Sequence, residues 1–81
     1  MRSDAVHFQH AGLPYSYAHA IAQQISSGIV DEEGLIRSGM ARELAQAVAE
    51  QLRSGIINTA ELTARGMPLR GAVALAEVIG R

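Results

Sequence analysis

Apolar residues recur at i, i+3, i+4, i+7 and i+11 in three stretches of this chain. Ala41, Leu44, Ala45, Val48 and Leu52 form one stripe; Pro14, Tyr17, Ala18, Ile21 and Ile25 form another; Pro68, Gly71, Ala72, Leu75 and Ile79 form the last. That period predicts amphipathic helices with one face turned to a core. The stripes are 27 residues apart, and so are Gly12, Gly39 and Gly66, the large apolar Phe8, Leu35 and Leu62, and the polar Asp4, Asp31 and Asn58. The chain therefore reads as one all-α domain, residues 1–81, built from three tandem 27-residue helix-turn-helix repeats, 1–27, 28–54 and 55–81. Each repeat is a short helix followed by a longer one, which makes a compact six-helix array.

The residues between the stripes punctuate the same plan. Asp31 and Asn58 suit N-caps, because a short side-chain oxygen accepts from the unpaired amides of a first turn. Asn58 has Glu61 three residues on, the spacing of a capping box. Asp4 holds the matching place, with Ser3 as a competitor. Gly39 and Gly66 stop the short helices, Met40 and Met67 fold back behind them, and Pro14 and Pro68 take the first position of the long helices. Gly28 and Gly55 end the first two long helices, and Ile29-Val30 and Ile56-Ile57 are expected to drop into the core. One such helical pair is too small to cover its own stripe, so neighbouring units must cover it. An open stack and a ring closed about a pseudo-threefold axis satisfy the pattern equally.

Departures from the repeat are the places to seek function. The last helix carries a second apolar line opposite its core stripe: Leu69, Val73, Ala76 and Gly80. Val78 also stands where the other units have Gln24 and Gln51. A helix that is apolar on both sides is either central in its own fold or docked on another chain. Leu69, Val73, Ala76, Val78 and Gly80 are therefore interface candidates, with the off-stripe Tyr15 as a contact anchor. The first unit holds every histidine and aromatic residue. His7-x-x-His10 has a spacing that converges on one helical face, which makes the pair a minimal metal-ligand candidate; solvated histidines are the alternative.

Composition narrows the chemistry. Nearly half of the 81 residues are apolar but only 4% are aromatic, so the core is filled by small side chains. The absence of cysteine removes disulfides and thiolate metal sites. A formal charge of −1 disfavours general nucleic-acid binding, which needs clustered cations. No nucleophile elbow or glycine-rich phosphate loop occurs, and the sequence points to no enzyme, no cofactor, no metal and no small-molecule substrate. The start, MRSDAVHFQHAG, has no signal-like apolar run, and no stretch reaches the length of a membrane span. A soluble protein is expected, in the bacterial cytoplasm or a virion.

The stretch GMARELAQAVAEQLRSGIINTAELTARGMP resembles short Ala-rich helical repeats of tailed-phage virion proteins, among them small accessory proteins of heads and fibres. The resemblance covers nearly the whole chain and rests on Gly-Met/Leu-Pro, spaced Ala and a capped Leu helix. It implies a virion component that binds a symmetric shell and has no activity of its own. The expected function is thus a structural or protein-interaction module that docks through helical faces to itself or to a larger assembly. The alternative is a small regulator, either a protein inhibitor or a DNA binder using Arg42, Gln46 and Arg53, although Glu43 and Glu50 share that helix.

Overall fold

In the computed structural model, which describes residues 4–80, the chain alternates short and long helices. They are α1 (Asp4–His10), α2 (Tyr15–Ser27), α3 (Glu32–Arg37), α4 (Arg42–Ser54), α5 (Thr59–Ala64) and α6 (Leu69–Ile79). No strand occurs among the described residues, and no helix there is long and apolar enough to cross a membrane.

Each short helix is stopped in the same way. Gly12, Gly39 and Gly66 have φ of 101°, 105° and 115°, a region that a side chain resists. Each Gly N–H donates back to the carbonyl of Gln9, Ile36 or Thr63, at 2.9 to 3.1 Å. The next residue, Leu13, Met40 or Met67, donates to Phe8, Leu35 or Leu62 at 3.0 to 3.3 Å. This pair of bonds is the Schellman arrangement, and its apolar residue is buried in all three cases. The long helices α2 and α4 end on Gly28 and Gly55 in the left-handed conformation.

The helix starts need some correction. Pro14, Ala41 and Pro68 are N-caps with extended ψ, one residue ahead of the expected position. Their carbonyls accept the first helical bonds, from Ala18, Ala45 and Ala72, and their side chains lie exposed rather than on the core stripe. Asp4 lies within α1 rather than capping it. Ser3, its expected competitor, lies outside the described residues. Asp31 and Asn58 do cap, accepting from the N–H of Glu33 and Glu61 at 3.1 and 3.0 Å.

The expected capping box at Asn58 is only half made, because a glutamine takes its other half. The Asn58 N–H donates to Gln51 Oε1 at 2.7 Å, and Gln51 Nε2 donates to Glu61 Oε1 at 2.8 Å. Gln24 holds the preceding joint through both atoms of its amide. Its Nε2 donates to the Asp31 carbonyl at 2.8 Å, and its Oε1 accepts the Asp31 N–H at 3.0 Å. Gln24 and Gln51 are the buried polar side chains of the described core, and each clips the end of a long helix to the start of the next short one. Replacing either by Ala strands backbone groups at the joint and is expected to lower stability by about 1–3 kcal/mol. Urea unfolding followed by circular dichroism measures it, and an unchanged midpoint would mean that water serves the joint as well as the amide does.

These clips leave less for the apolar residues of the joints to do. Ile29 and Ile56, expected inside, are 71% and 74% exposed. Only Val30 and Ile57 turn inward, and they are half-buried.

Packing then closes the array. Each long helix lies against the short helix before it and the short helix after it: α2 against α1 and α3, α4 against α3 and α5. The last long helix, α6, lies against α5 and α1, which makes a closed ring in a body of 32 × 23 × 23 Å. Phe8, Leu35 and Leu62 are fully buried, as are Ala18, Ala45 and Ala72, and Ile21, Val48 and Leu75. The residues at 27-residue spacing thus share one core. Tyr17 is half-buried, because its hydroxyl reaches out to donate to the Gly39 carbonyl at 3.1 Å.

Candidate functional site

The chain has no covalent joint between α6 and α1, so side chains alone must bring these helices together. Leu13 and Gly71 do much of this. A Cβ at position 71 would lie 2.9 Å from Leu13 Cγ, a distance real Cβ atoms do not show. The bare backbone of Gly71 lets α6 settle onto the turn that follows α1. The corresponding residues of α2 and α4 are Tyr17 and Leu44.

Once seated, α6 turns Gly71, Ala72, Ala74 and Leu75 inward, and all four are buried. Its opposite face is not covered by the other described residues. Leu69 is 58% exposed and Val73 is 43% exposed, so α6 is not a central helix wrapped by the other units. Gly80 is also exposed, and Ala76 is half-buried. Val78 is half-buried and packs against the core, which leaves it little surface for docking. Tyr15 is exposed on α2, a different helix, where its ring stacks on His19 at 5.8 Å.

Beside the exposed face runs a groove between α6 and α1 of about 360 Å³, walled by His7, His10 and Ala11 on one side and by Leu69, Arg70, Val73 and Glu77 on the other. The structure thus joins two features that sequence reasoning held apart, the apolar line of the last helix and the histidine pair of the first. The missing link was ring closure, which no local pattern encodes. A comparable groove between α1 and α2, about 440 Å³, is lined instead by Asp4, His19, Gln23 and two serines.

The charged groups of the α6–α1 groove are few. His7 Nε2 lies 3.7 Å from Glu77 Oε1 and, though shielded from solvent, has no hydrogen bond among the described residues. Arg70 has neither a hydrogen bond nor an ion pair among the described residues. No three His, Asp or Glu side chains among those residues come together in a way that could hold a metal ion. His7 and His10 therefore bring no third ligand of those types with them. The remaining character of the groove is an apolar floor with Arg70, unpaired among the described residues, and the largely exposed Glu77 carboxylate at its edge.

Position by position, this face differs from the rest of the ring. The places of Leu69 and Val73 are held by Tyr15 and His19 in α2, and by Arg42 and Gln46 in α4. Ile29 and Ile56, also exposed, stand one on each joint rather than together on a helix. Comparison with known proteins returns no matching family model, no similar curated protein and no similar solved structure.

Proposed function

We propose that this protein is a non-enzymatic interaction module that docks through the outer face of α6. The observation that carries the reading is the pair Leu69 and Val73, exposed on one helix where the equivalent residues of α2 and α4 are polar or amphipathic. An aliphatic pair beside an apolar groove loses contact with water when a partner covers it, and because about half of each side chain is already covered, docking contributes about 1 kcal/mol each. The caps, clips and ring closure serve to hold that face rigid. The likeness to helical repeats of phage virion proteins supports a virion setting, where a small module binds a symmetric shell. The bacterial cytoplasm is the other setting proposed.

Two measurements test the proposal. Val73→Arg is expected to leave the fold intact, with stability within about 0.5 kcal/mol of the parent, because the side chain already meets solvent. A photo-crosslinking amino acid at position 69 or 73 is expected to capture a protein partner. The same group at Gln46, the matching exposed position of α4, is expected to capture none. Equal yields from 46 and 73, or none from 69 and 73, would remove the α6 face as the docking surface.

A further inference from the structure

Resting on that docking reading, we propose that the partner on the α6 face is a second copy of this chain, laid antiparallel about a two-fold axis. The inference comes from how α6 matches its own reverse. An antiparallel helix pair related by a two-fold axis keeps each flank on the same side, so a residue meets its mirror in register about the axis. Arg70 and Glu77 are both exposed and project within about 20° of each other around the helix, given 3.6 residues per turn. Both line the groove beside α1, so they occupy one flank. Their midpoint falls between residues 73 and 74. An axis there sets Arg70 of each copy opposite Glu77 of the other, giving two charge pairs from one contact.

The same axis also satisfies the apolar residues, with no further choice of register. Val73 meets Val73 of the other copy, offset by about one residue rise of 1.5 Å. Leu69 falls level with the gap between Ala76 and Gly80 of the other copy, the small residues that admit a larger one. Within a single chain Arg70 has no partner among the described residues, and the Glu77 side chain is 62% exposed. Pairing to another copy uses both. Among the described residues, His7 on α1 and Arg70 on α6 line the same groove as Glu77, whose side chain keeps most of its surface exposed.

Helix α6 has 11 residues, so the paired length is short. A stable interface takes roughly 800 Å² per partner. A reversible dimer is therefore expected, visible by sedimentation between about 10 µM and about 1 mM. Arg70→Glu and Glu77→Arg, each alone, set like charges opposite one another twice, and each is expected to weaken the dimer about tenfold or more. The double variant Arg70→Glu/Glu77→Arg restores both pairs and is expected to dimerise as the parent does. An equimolar mixture of the two single variants is expected to form a heterodimer, while Val73→Arg stays monomeric.

A parent chain that remains monomeric across that range overturns the proposal, as does failure of both the double variant and the mixture to recover dimer. If the parent is monomeric while crosslinks from position 73 lead to a different protein, the second copy is excluded and the docking face stands. If neither position 69 nor position 73 gives a crosslink, both fall.

Discussion

Replacing Phe8 by alanine is expected to remove about 3–5 kcal/mol of stability, the usual cost of deleting a fully buried aromatic ring and leaving a cavity. A domain of 81 residues has roughly 4–12 kcal/mol in all, so this one change removes about a quarter of it or more. The melting temperature, followed by circular dichroism, should fall by about 15 °C or more. Phe8→Leu makes the informative control. Leucine is the residue at the equivalent positions 35 and 62, both fully buried, and the swap keeps most of the volume. Its expected cost is below about 1.5 kcal/mol. A melt for Phe8→Ala within a few degrees of the parent would mean that α1 is not part of the common core and that the ring is not closed through it.

Gly71→Leu is expected to destabilise by roughly 3 kcal/mol, although two local arguments favour it. Leucine stands at the equivalent position 44, and leaving glycine in a helix interior costs about 1 kcal/mol in propensity. Packing reverses the sign. The Cβ alone would fall 2.9 Å from Leu13 Cγ, and Leu13 is buried, so neither residue has room to yield. Relief requires α6 to lift from the turn after α1, which opens the α6–α1 groove. Pairing Gly71→Leu with Leu13→Ala returns the lost volume, and the double variant is expected to be more stable than the two single effects summed, by about 1 kcal/mol or more. Strict additivity in urea titrations would show that these residues do not meet.

Much of the outer face of α6 was legible before the fold, and part of it was not. The helical period identified Leu69 and Val73 as a second apolar line, because which residues share a helix face depends on the helix alone. It left open whether that line was core or surface, since the same pattern suits a helix wrapped on all sides. His7 and His10 were noticed for a metal-ligand spacing; their place in the structure is instead a wall of the α6–α1 groove. Gln24 and Gln51 looked like ordinary polar residues at a stripe's edge. Their role as clips depends on backbone groups seven residues further on, which return to them only after the chain turns. Once the clips hold the joints, Ile29 and Ile56 are no longer needed as anchors and stay in solvent.

What the amino-acid sequence determined by itself is local: six helices, the glycines at which five of them stop, and the apolar residue folded behind each short one. These features are set by backbone sterics and hydrogen bonds spanning about six residues, so neighbours along the chain suffice to decide them. Only the tertiary structure decided that α6 meets α1, that Leu13 fills the space left by Gly71, and that Leu69 and Val73 remain uncovered. The reason is geometric. A repeated stripe asks only for a neighbour to cover it, and whether the last unit reaches the first depends on the turn taken at each step, which is fixed by the sizes of side chains packed far apart in sequence.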